Sequence, residues 1–269
     1  MNKKFNKIKL FGYYGGKYYL LDDILTEMIR IIEKYNIKCV VDVFGGSGSV
    51  ILSLPLQYKV YRVYNDIDKR LTTTLKILMD NEKREQLINS LEFAMRSRDI
   101  YNEFKNSNWD NLTDEEIALR FLYIIVYSFR GDMNTFALTI DTSKYREQMS
   151  ALINNIKNNF KYIRELSSIE NLDFREIIKK YGRETTLFYL DPPYLTGSEK
   201  YKYRFTEKDF IDLKELLDYT KSKYILNSSD KDLEFINKVF GNYTFIKLYR
   251  NHFNQKKGLR YEGFWIKED

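Results

Sequence analysis

The 269-residue chain predicts an α/β fold, an open and mainly parallel sheet interrupted by a helical insertion between its second and third strands. Three observations predict it. Cys39 to Phe44 reads as a short buried strand that runs into Gly45-Gly46-Ser47-Gly48-Ser49 and then into the apolar Val50 to Leu54. Strand, glycine turn and helix start in that order describe a Rossmann-like nucleotide-binding crossover, in which glycine lets a ligand approach the backbone closely. A second strand, Val60 to Tyr64, ends at Asn65-Asp66, twenty residues beyond Gly46, where an acid grips ribose hydroxyls in this architecture. Strand and helix alternate again after Ser167, and the apolar run Thr186 to Leu190 ends in Asp191-Pro192-Pro193-Tyr194.

The elements follow in chain order. Residues 18–36 form an amphipathic helix, with Leu21, Ile24, Leu25, Met28, Ile32 and Tyr35 at helical spacing. Residues 69–165 lose the alternation and read as mostly helical; within them Thr113-Asp114-Glu115-Glu116 is a capping box opening a helix that runs to about Phe129 and stops at Gly131. Ile169 to Leu172 is a strand leading to Asp173, and Phe174 to Tyr181 a helix closed by Gly182. Thr206 caps a helix from Glu207 to Tyr219, Lys223 to Asn227 is a strand, and Asp230 caps a helix ending at Gly241. Tyr243 to Leu248 and Tyr261 to Lys267 are the last strands, a hairpin finishing the sheet. The division predicted is a catalytic domain of residues 1–68 plus 166–269 and a helical insertion of residues 69–165.

Ligands of such sheets bind outside the carboxyl ends of the strands. Gly45, Asp66, Asp173 and Asp191 all fall just after predicted strands and are expected to line one crevice; acids in solvated turns are the bland alternative. Two successive prolines have fixed φ and no N–H, so the loop they build is stiff and its carbonyls have no ladder to join. Those carbonyls and the Asp191 carboxylate make an acceptor-only cluster beside the ring of Tyr194, suited to a planar base with an exocyclic amino group, adenine above all. An ordinary strand-end turn is the alternative here. No lysine-plus-serine phosphate loop accompanies the glycine turn, so a P-loop NTPase is disfavoured. A glycine turn and a ribose acid without a phosphate signature fit an adenosine ligand lacking pyrophosphate, S-adenosylmethionine first among them.

Composition narrows the class. The net charge is +6, from 44 Lys and Arg against 38 Asp and Glu. It is uneven: residues 1–20 hold five lysines and no acid, and residues 247–260 hold Lys247, Arg250, Lys256, Lys257 and Arg260 and no acid. Two local basic patches suggest a polyanion laid across specific surfaces, and in the second Tyr249 and Phe253 are interleaved with the cations. The single cysteine, Cys39, allows no internal disulfide and sits in an apolar strand; with one histidine, His252, no metal site has recognisable spacing. No run of about 18 apolar residues is present and the N-terminus lacks the apolar core of a signal peptide, so a cytoplasmic protein without membrane contact is expected.

The motifs together resemble the Dam-like family of DNA adenine-N6 methyltransferases, in which cofactor motifs precede the catalytic motif. Tyr13-Tyr14-Gly15-Gly16-Lys17 resembles the family's W-A-G-G-K element, with Tyr13 in place of tryptophan. Phe44-Gly45-Gly46-Ser47-Gly48-Ser49 resembles its F-x-G-x-G-S loop, Asn65-Asp66-Ile67-Asp68 its second motif, Leu172-Asp173-Phe174-Arg175 its third and Asp191 to Tyr194 its fourth. The resemblance spans nearly the whole chain and implies roles. Tyr13, Lys17, Phe44 and the loop of Gly45, Gly46 and Gly48 would enclose the methionine part of S-adenosylmethionine, with Asp42 helping to hold its amino group. Asp66 would accept from the ribose hydroxyls, and Asp173 from the cofactor's adenine amino group with Phe174 alongside. Asp191 and the Pro192 carbonyl would hold the target amino group, Pro193 would stiffen the loop, Tyr194 would stack on the target base and Phe205 would form the opposite wall.

The substrate implied is duplex DNA with its target adenine flipped out. The insertion would supply sequence recognition through Phe129-Arg130-Gly131-Asp132-Met133-Asn134-Thr135-Phe136, a loose likeness of the family's hairpin element whose altered ending puts a GATC target in doubt. Arg130, Asn134, Lys144 and Arg146 are the candidate DNA contacts there, with Lys256, Lys257 and Arg260 near the C-terminus. A cytosine-N4 methyltransferase is the nearest alternative, though those more often carry Ser in place of Asp191; RNA or protein-glutamine methylation usually goes with Asn there. A catalytically silent DNA-binding module with the same fold is the alternative from another class. The oligomeric state is not legible.

Overall fold

A computed structural model describes residues 5–13, 15–137, 143–195, 203–242, 244–250 and 259–268. In chain order the elements are α1 (Leu21–Tyr35), β1 (Cys39–Asp42), α2 (Ser49–Ser53), β2 (Tyr61–Asn65), α3 (Lys69–Met79), α4 (Asn81–Glu92), α5 (Arg98–Lys105), α6 (Asp114–Tyr127), α7 (Ser143–Ile163), β3 (Ser168–Glu170), α8 (Phe174–Tyr181), β4 (Thr186–Leu190), α9 (Glu207–Thr220), β5 (Lys223–Ser229), α10 (Leu233–Phe240), β6 (Phe245–Arg250) and β7 (Leu259–Lys267). The expected α/β class holds. Short 3₁₀ turns at Tyr18–Leu20, Trp109–Asn111, Phe129–Gly131 and Asp230–Asp232 trim or extend several helices.

The chain forms two compact units: Met1–Leu25, Gly45–Tyr58 and Asp68–Asn171 make the first, and Thr26–Phe44, Lys59–Ile67 and Leu172–Asp269 the second. In the first unit α6 is the central helix and packs against α3, α4, α5 and α7. Its start is fixed locally: the Thr113 hydroxyl accepts from the Glu116 N–H while the Glu116 carboxylate accepts from the Thr113 N–H, a reciprocal box that satisfies two orphan amide groups. Its face of Ile117, Phe121, Leu122, Ile124 and Ile125 is buried, a core that the sequence signals by near-continuous apolar character. The side chains of Asp68, Asp80 and Ser97 cap α3, α4 and α5, each accepting from a backbone N–H of the first turn.

In the second unit six strands lie in the order β2-β1-β4-β5-β7-β6. β1 is parallel to β2 and to β4, and β4 is parallel to β5. β5 pairs antiparallel with β7, and β7 antiparallel with β6. The last two strands do form a hairpin, but the chain passes β5 by to make the edge strand β6 first and returns to insert β7. All five residues of β4 are buried, the pattern of a central parallel strand covered on both faces. Val41, Val63, Phe188, Leu190, Phe210, Leu213, Ile236 and Trp265 are among the residues forming one apolar cluster with this sheet and its helices.

Two local expectations need correction. The N-cap position of α10 is Asp232 rather than Asp230, which begins the 3₁₀ turn, and the Asp232 carboxylate accepts instead from the Leu195 N–H at 3.0 Å. A tertiary partner has outcompeted the local cap. β5 also runs two residues beyond Asn227, because pairing with β7 extends through Ser229 opposite Glu262.

Candidate active site

In a parallel sheet every strand delivers its C-terminal residue to the same edge. From β1 the chain turns to β2 on one side, while β4 lies on the other, so the strand order reverses between β1 and β4. That reversal is where α/β sheets open a crevice. Asp42 ends β1 and is buried; Asp191 follows β4, is half-buried and lies two residues past Tyr189, the register partner of Asp42. The Val43 N–H donates to the Tyr189 carbonyl at 3.1 Å, prolonging the ladder to the mouth of the crevice. Burial, and then the charges of Asp191, Asp42 and Glu262, hold the Tyr189 phenol well above its ordinary range.

Asp66 follows β2 at the same edge, and a neighbour that sequence reasoning passed over fixes its place. Asn65 is buried; its amide NH₂ donates to the Val43 carbonyl at 2.9 Å and the Leu172 carbonyl at 3.1 Å, and its amide oxygen accepts from the Leu172 N–H at 3.0 Å. One side chain thus ties the ends of β1 and β2 to the segment that carries Asp173. Asp173 caps α8, its carboxylate accepting from the Arg175 N–H at 2.8 Å. The Arg175 guanidinium reaches the same Asp173 carboxylate at 3.4 Å and pairs with Asp209 at 2.5 Å and Asp212 at 2.6 Å on α9.

Beside these acids lies an aromatic cluster. Phe44 meets Phe174 at 6.2 Å and Phe205 edge-on at 5.4 Å, and Phe174 meets Phe205 at 5.0 Å. Phe205 is buried and packs on Phe210 as well. The ring expected as a wall over a target base thus backs Phe44 and Phe174.

The Asp-Pro-Pro-Tyr loop is fastened at its far end. The Tyr194 hydroxyl donates to the Glu262 carboxylate on β7 at 2.7 Å and reaches the Asn227 amide oxygen on β5 at 3.4 Å, while Leu195 is bonded to Asp232. Glu262, Asn227 and Asp232 are buried. None of the three was singled out in the sequence.

In the first unit the Tyr13 ring lies against the glycine turn, 3.3 Å from where a Cβ on Gly46 would stand, and Gly46 has φ +50°. Any side chain there would meet the ring in a backbone conformation that L-residues avoid. Gly48 closes the turn through its N–H to the Gly45 carbonyl at 2.8 Å. Lys17 is buried, its ammonium donating to the Gly15 carbonyl at 2.9 Å. Of the N-terminal lysines, Lys7 pairs with Asp22 at 2.7 Å, so that patch is partly engaged within the unit.

Phe129 to Ala137 fold back on themselves: Ser128 and Phe136 form an antiparallel bridge, the Phe129 N–H donates to the Thr135 carbonyl at 2.7 Å, and the Asp132 carboxylate accepts from the N–H groups of Asn134 and Thr135. Asn134 is exposed at the tip. The side chains of Arg130, Lys144, Arg146 and Arg260, and all of Lys256 and Lys257, lie outside the described residues. Cys39 is a packed thiol, pushed up to about 11 by burial. Among the described residues no helix is long and apolar enough to cross a membrane.

These features agree with the relatives of the chain. The sequence profile of the D12 class of N6 adenine-specific DNA methyltransferases matches residues 13–252, and the chain belongs to that family. It is an adenine-specific DNA methyltransferase. It is 24% identical to the type II methyltransferase M.MjaIII of Methanocaldococcus jannaschii, over 93% of this chain and 94% of the relative. It is 31% identical to a Haemophilus influenzae protein named "Putative methyltransferase", over 73% of this chain and 67% of the relative. Among solved structures, the "Putative methyltransferase yhhF" from Escherichia coli aligns over 98% of this chain and 100% of its own at 10% identity with a TM-score of 0.37.

Proposed function

We propose that the enzyme methylates N6 of an adenine extruded from duplex DNA, with S-adenosylmethionine as methyl donor. The observation that carries the reading is the Asp191-Pro192-Pro193-Tyr194 loop at the carboxyl end of β4, at the strand-order reversal and next to Asp42. The acceptor set in the second unit suits the cofactor: a carboxylate accepts hydrogen bonds, and the ribose hydroxyls, adenine amino group and α-amino group of S-adenosylmethionine can each donate one to Asp66, Asp173 and Asp42. Asp66 accepts from the ribose hydroxyls, Asp173 from the cofactor's adenine amino group beside Phe174, and Asp42 from the α-amino group, with Phe44 close by. In the first unit Tyr13, Lys17, Gly45, Gly46 and Gly48 serve the methionine part. When bound, S-adenosylmethionine supplies an electrophilic sulfonium methyl group.

The chain's residues prepare the nucleophile. The adenine amino nitrogen is weak because its lone pair is delocalised into the ring. Asp191 and the Pro192 carbonyl accept its two N–H bonds, draw the nitrogen towards tetrahedral geometry and localise that lone pair. Pro193 keeps the loop stiff, and Tyr194 stacks on the base and holds it out of the duplex, offsetting the few kcal/mol lost on unstacking. As positive charge develops on the nitrogen, Asp191 and the carbonyl stabilise it; the proton leaves afterwards. No covalent adduct with the base is required.

Residues 1–68 plus 166–269 form the catalytic part in this reading, and residues 69–165 the part that reads sequence. Arg130, Asn134, Lys144 and Arg146 contact DNA there, and Lys256, Lys257 and Arg260 contact the backbone. The folded-back segment ending at Phe136 supports this by offering Asn134 at an exposed tip. In this reading the enzyme works in the cytoplasm, where it would meet its DNA substrate. The test is Asp191→Ala, assayed with labelled S-adenosylmethionine. Transfer to unmethylated DNA should fall at least about a thousandfold, with the unfolding transition within a few degrees of wild type; near-normal turnover would overturn the mechanism.

A further inference from the structure

The contact between Tyr194 and Glu262 joins two residues 68 positions apart, from the catalytic loop to the last strand. Nothing in the methyl-transfer chemistry calls for Glu262. It lies on β7 opposite Ser229 and is buried, the residue 3% exposed. A carboxylate withdrawn from water that far needs donors, and the Tyr194 hydroxyl supplies one at 2.7 Å. A bond to an ionised acceptor is about twice as strong as a neutral one. Asn227, wholly buried and held by its own NH₂ to the Gly263 carbonyl at 3.3 Å, presents its oxygen to the same hydroxyl from β5. The residue after Tyr194 is pinned separately by Asp232. The ring of Tyr194 is thus clamped at its hydroxyl end by two strands and at its backbone end by a third element.

We propose that Glu262, seconded by Asn227, is a positioning residue for the target base: it fixes the plane of the Tyr194 ring so that the stacking face is formed before DNA arrives. This rests on the reading of Tyr194 as the stacking platform. A phenol ring turning freely about its side-chain bonds loses that freedom when a base settles on it, whereas a ring anchored at its hydroxyl has lost it already, and preorganisation of this kind appears as affinity and rate. Glu262 never touches the base, so its loss should weaken productive base capture and leave cofactor binding alone.

The test is a double-mutant cycle on Tyr194→Phe and Glu262→Ala, with Glu262→Gln as the conservative variant. The full chain is assayed for kcat/KM on unmethylated genomic DNA fragments, and S-adenosylmethionine affinity is measured separately. Each single change should lower kcat/KM roughly tenfold to a hundredfold without altering cofactor affinity, and the double variant should be no worse than the poorer single one. Glu262→Gln, whose amide oxygen can still accept, should stay within about threefold of wild type. If Glu262→Ala fails to fold, as lost cofactor binding would show, Tyr194→Phe against Glu262→Gln carries the comparison. Losses that multiply in the double variant, or a Tyr194→Phe enzyme at full rate, would overturn the positioning role. A wild-type enzyme that methylates no DNA would overturn the function on which the role stands.

Discussion

The amide of Asn65 makes three hydrogen bonds to the backbones of Val43 and Leu172 from a buried position. Replacing it by alanine leaves two carbonyls and one N–H buried without those partners, a cost of about 2–4 kcal/mol. Because the same bonds join the residues that precede Asp66 and Asp173, Asn65→Ala should also weaken binding of the proposed cofactor S-adenosylmethionine, measurable by calorimetry on the folded variant at low temperature. Unchanged affinity in a destabilised protein would make Asn65 purely structural. The acids themselves were legible in the sequence, since each stands at the end of an apolar run where a strand must stop. Asn65, Asn227, Asp232 and Glu262 were not, because their meaning lies in partners far along the chain: Leu172 is 107 residues from Asn65, and Tyr194 is 68 from Glu262. The packing of Phe205 was illegible for a related reason: distance from the motif suggested a wall of the site, and the contacts with Phe44, Phe174 and Phe210 come from other elements.

Helix starts are local events, and here the sequence was a good guide. Thr206 and Asp209 close a capping box on α9, with the Thr206 hydroxyl accepting from the Asp209 N–H at 3.3 Å and the Asp209 carboxylate from the Thr206 N–H at 2.7 Å. Thr206→Ala should cost about 1 kcal/mol in denaturant unfolding, with activity nearly intact. No loss of stability would mean the box contributes nothing. Strand order is not local: nothing near β6 or β7 says that β7 lies inside the sheet. That arrangement brings Glu268, just after β7, to α1, where its carboxylate accepts from Lys34 at 2.7 Å and from the Tyr35 hydroxyl at 2.8 Å and pairs with Arg30. The Arg30 hydrogen bond, ahead of the others, holds the Glu268 carboxyl down to about 2, against an ordinary value near about 4.3. A carboxyl depressed on folding stabilises fully above its unfolded value, and the gain disappears as pH falls through the folded one. Glu268→Gln should therefore lower stability at pH 7 by no more than about 1 kcal/mol, screening included, and match wild type below about pH 2. A difference that persisted there would remove the ion pairs as its cause.

At the scale of the molecule, a methyltransferase must recognise a polyanion, extrude one base and hold two adenine rings apart by role. The net charge of +6 answers the first demand, and transfer at low DNA concentration should fall steeply with added salt as counterion release loses its advantage. The second and third rest on the sheet edge in the second unit, where Asp66 follows β2 on one side of Asp42, the segment of Asp173 is bonded to Asn65, and the Asp-Pro-Pro-Tyr loop follows β4 on the other side. That partition, one acceptor set for the cofactor's adenine and another for the target's amino group, is the central claim. Its most direct test is to incubate the protein with labelled S-adenosylmethionine and unmethylated genomic DNA, digest the DNA and identify the labelled nucleoside. The account predicts label in N6-methyladenine, abolished in Asp191→Ala; label in N4-methylcytosine, or none despite bound cofactor, would contradict it.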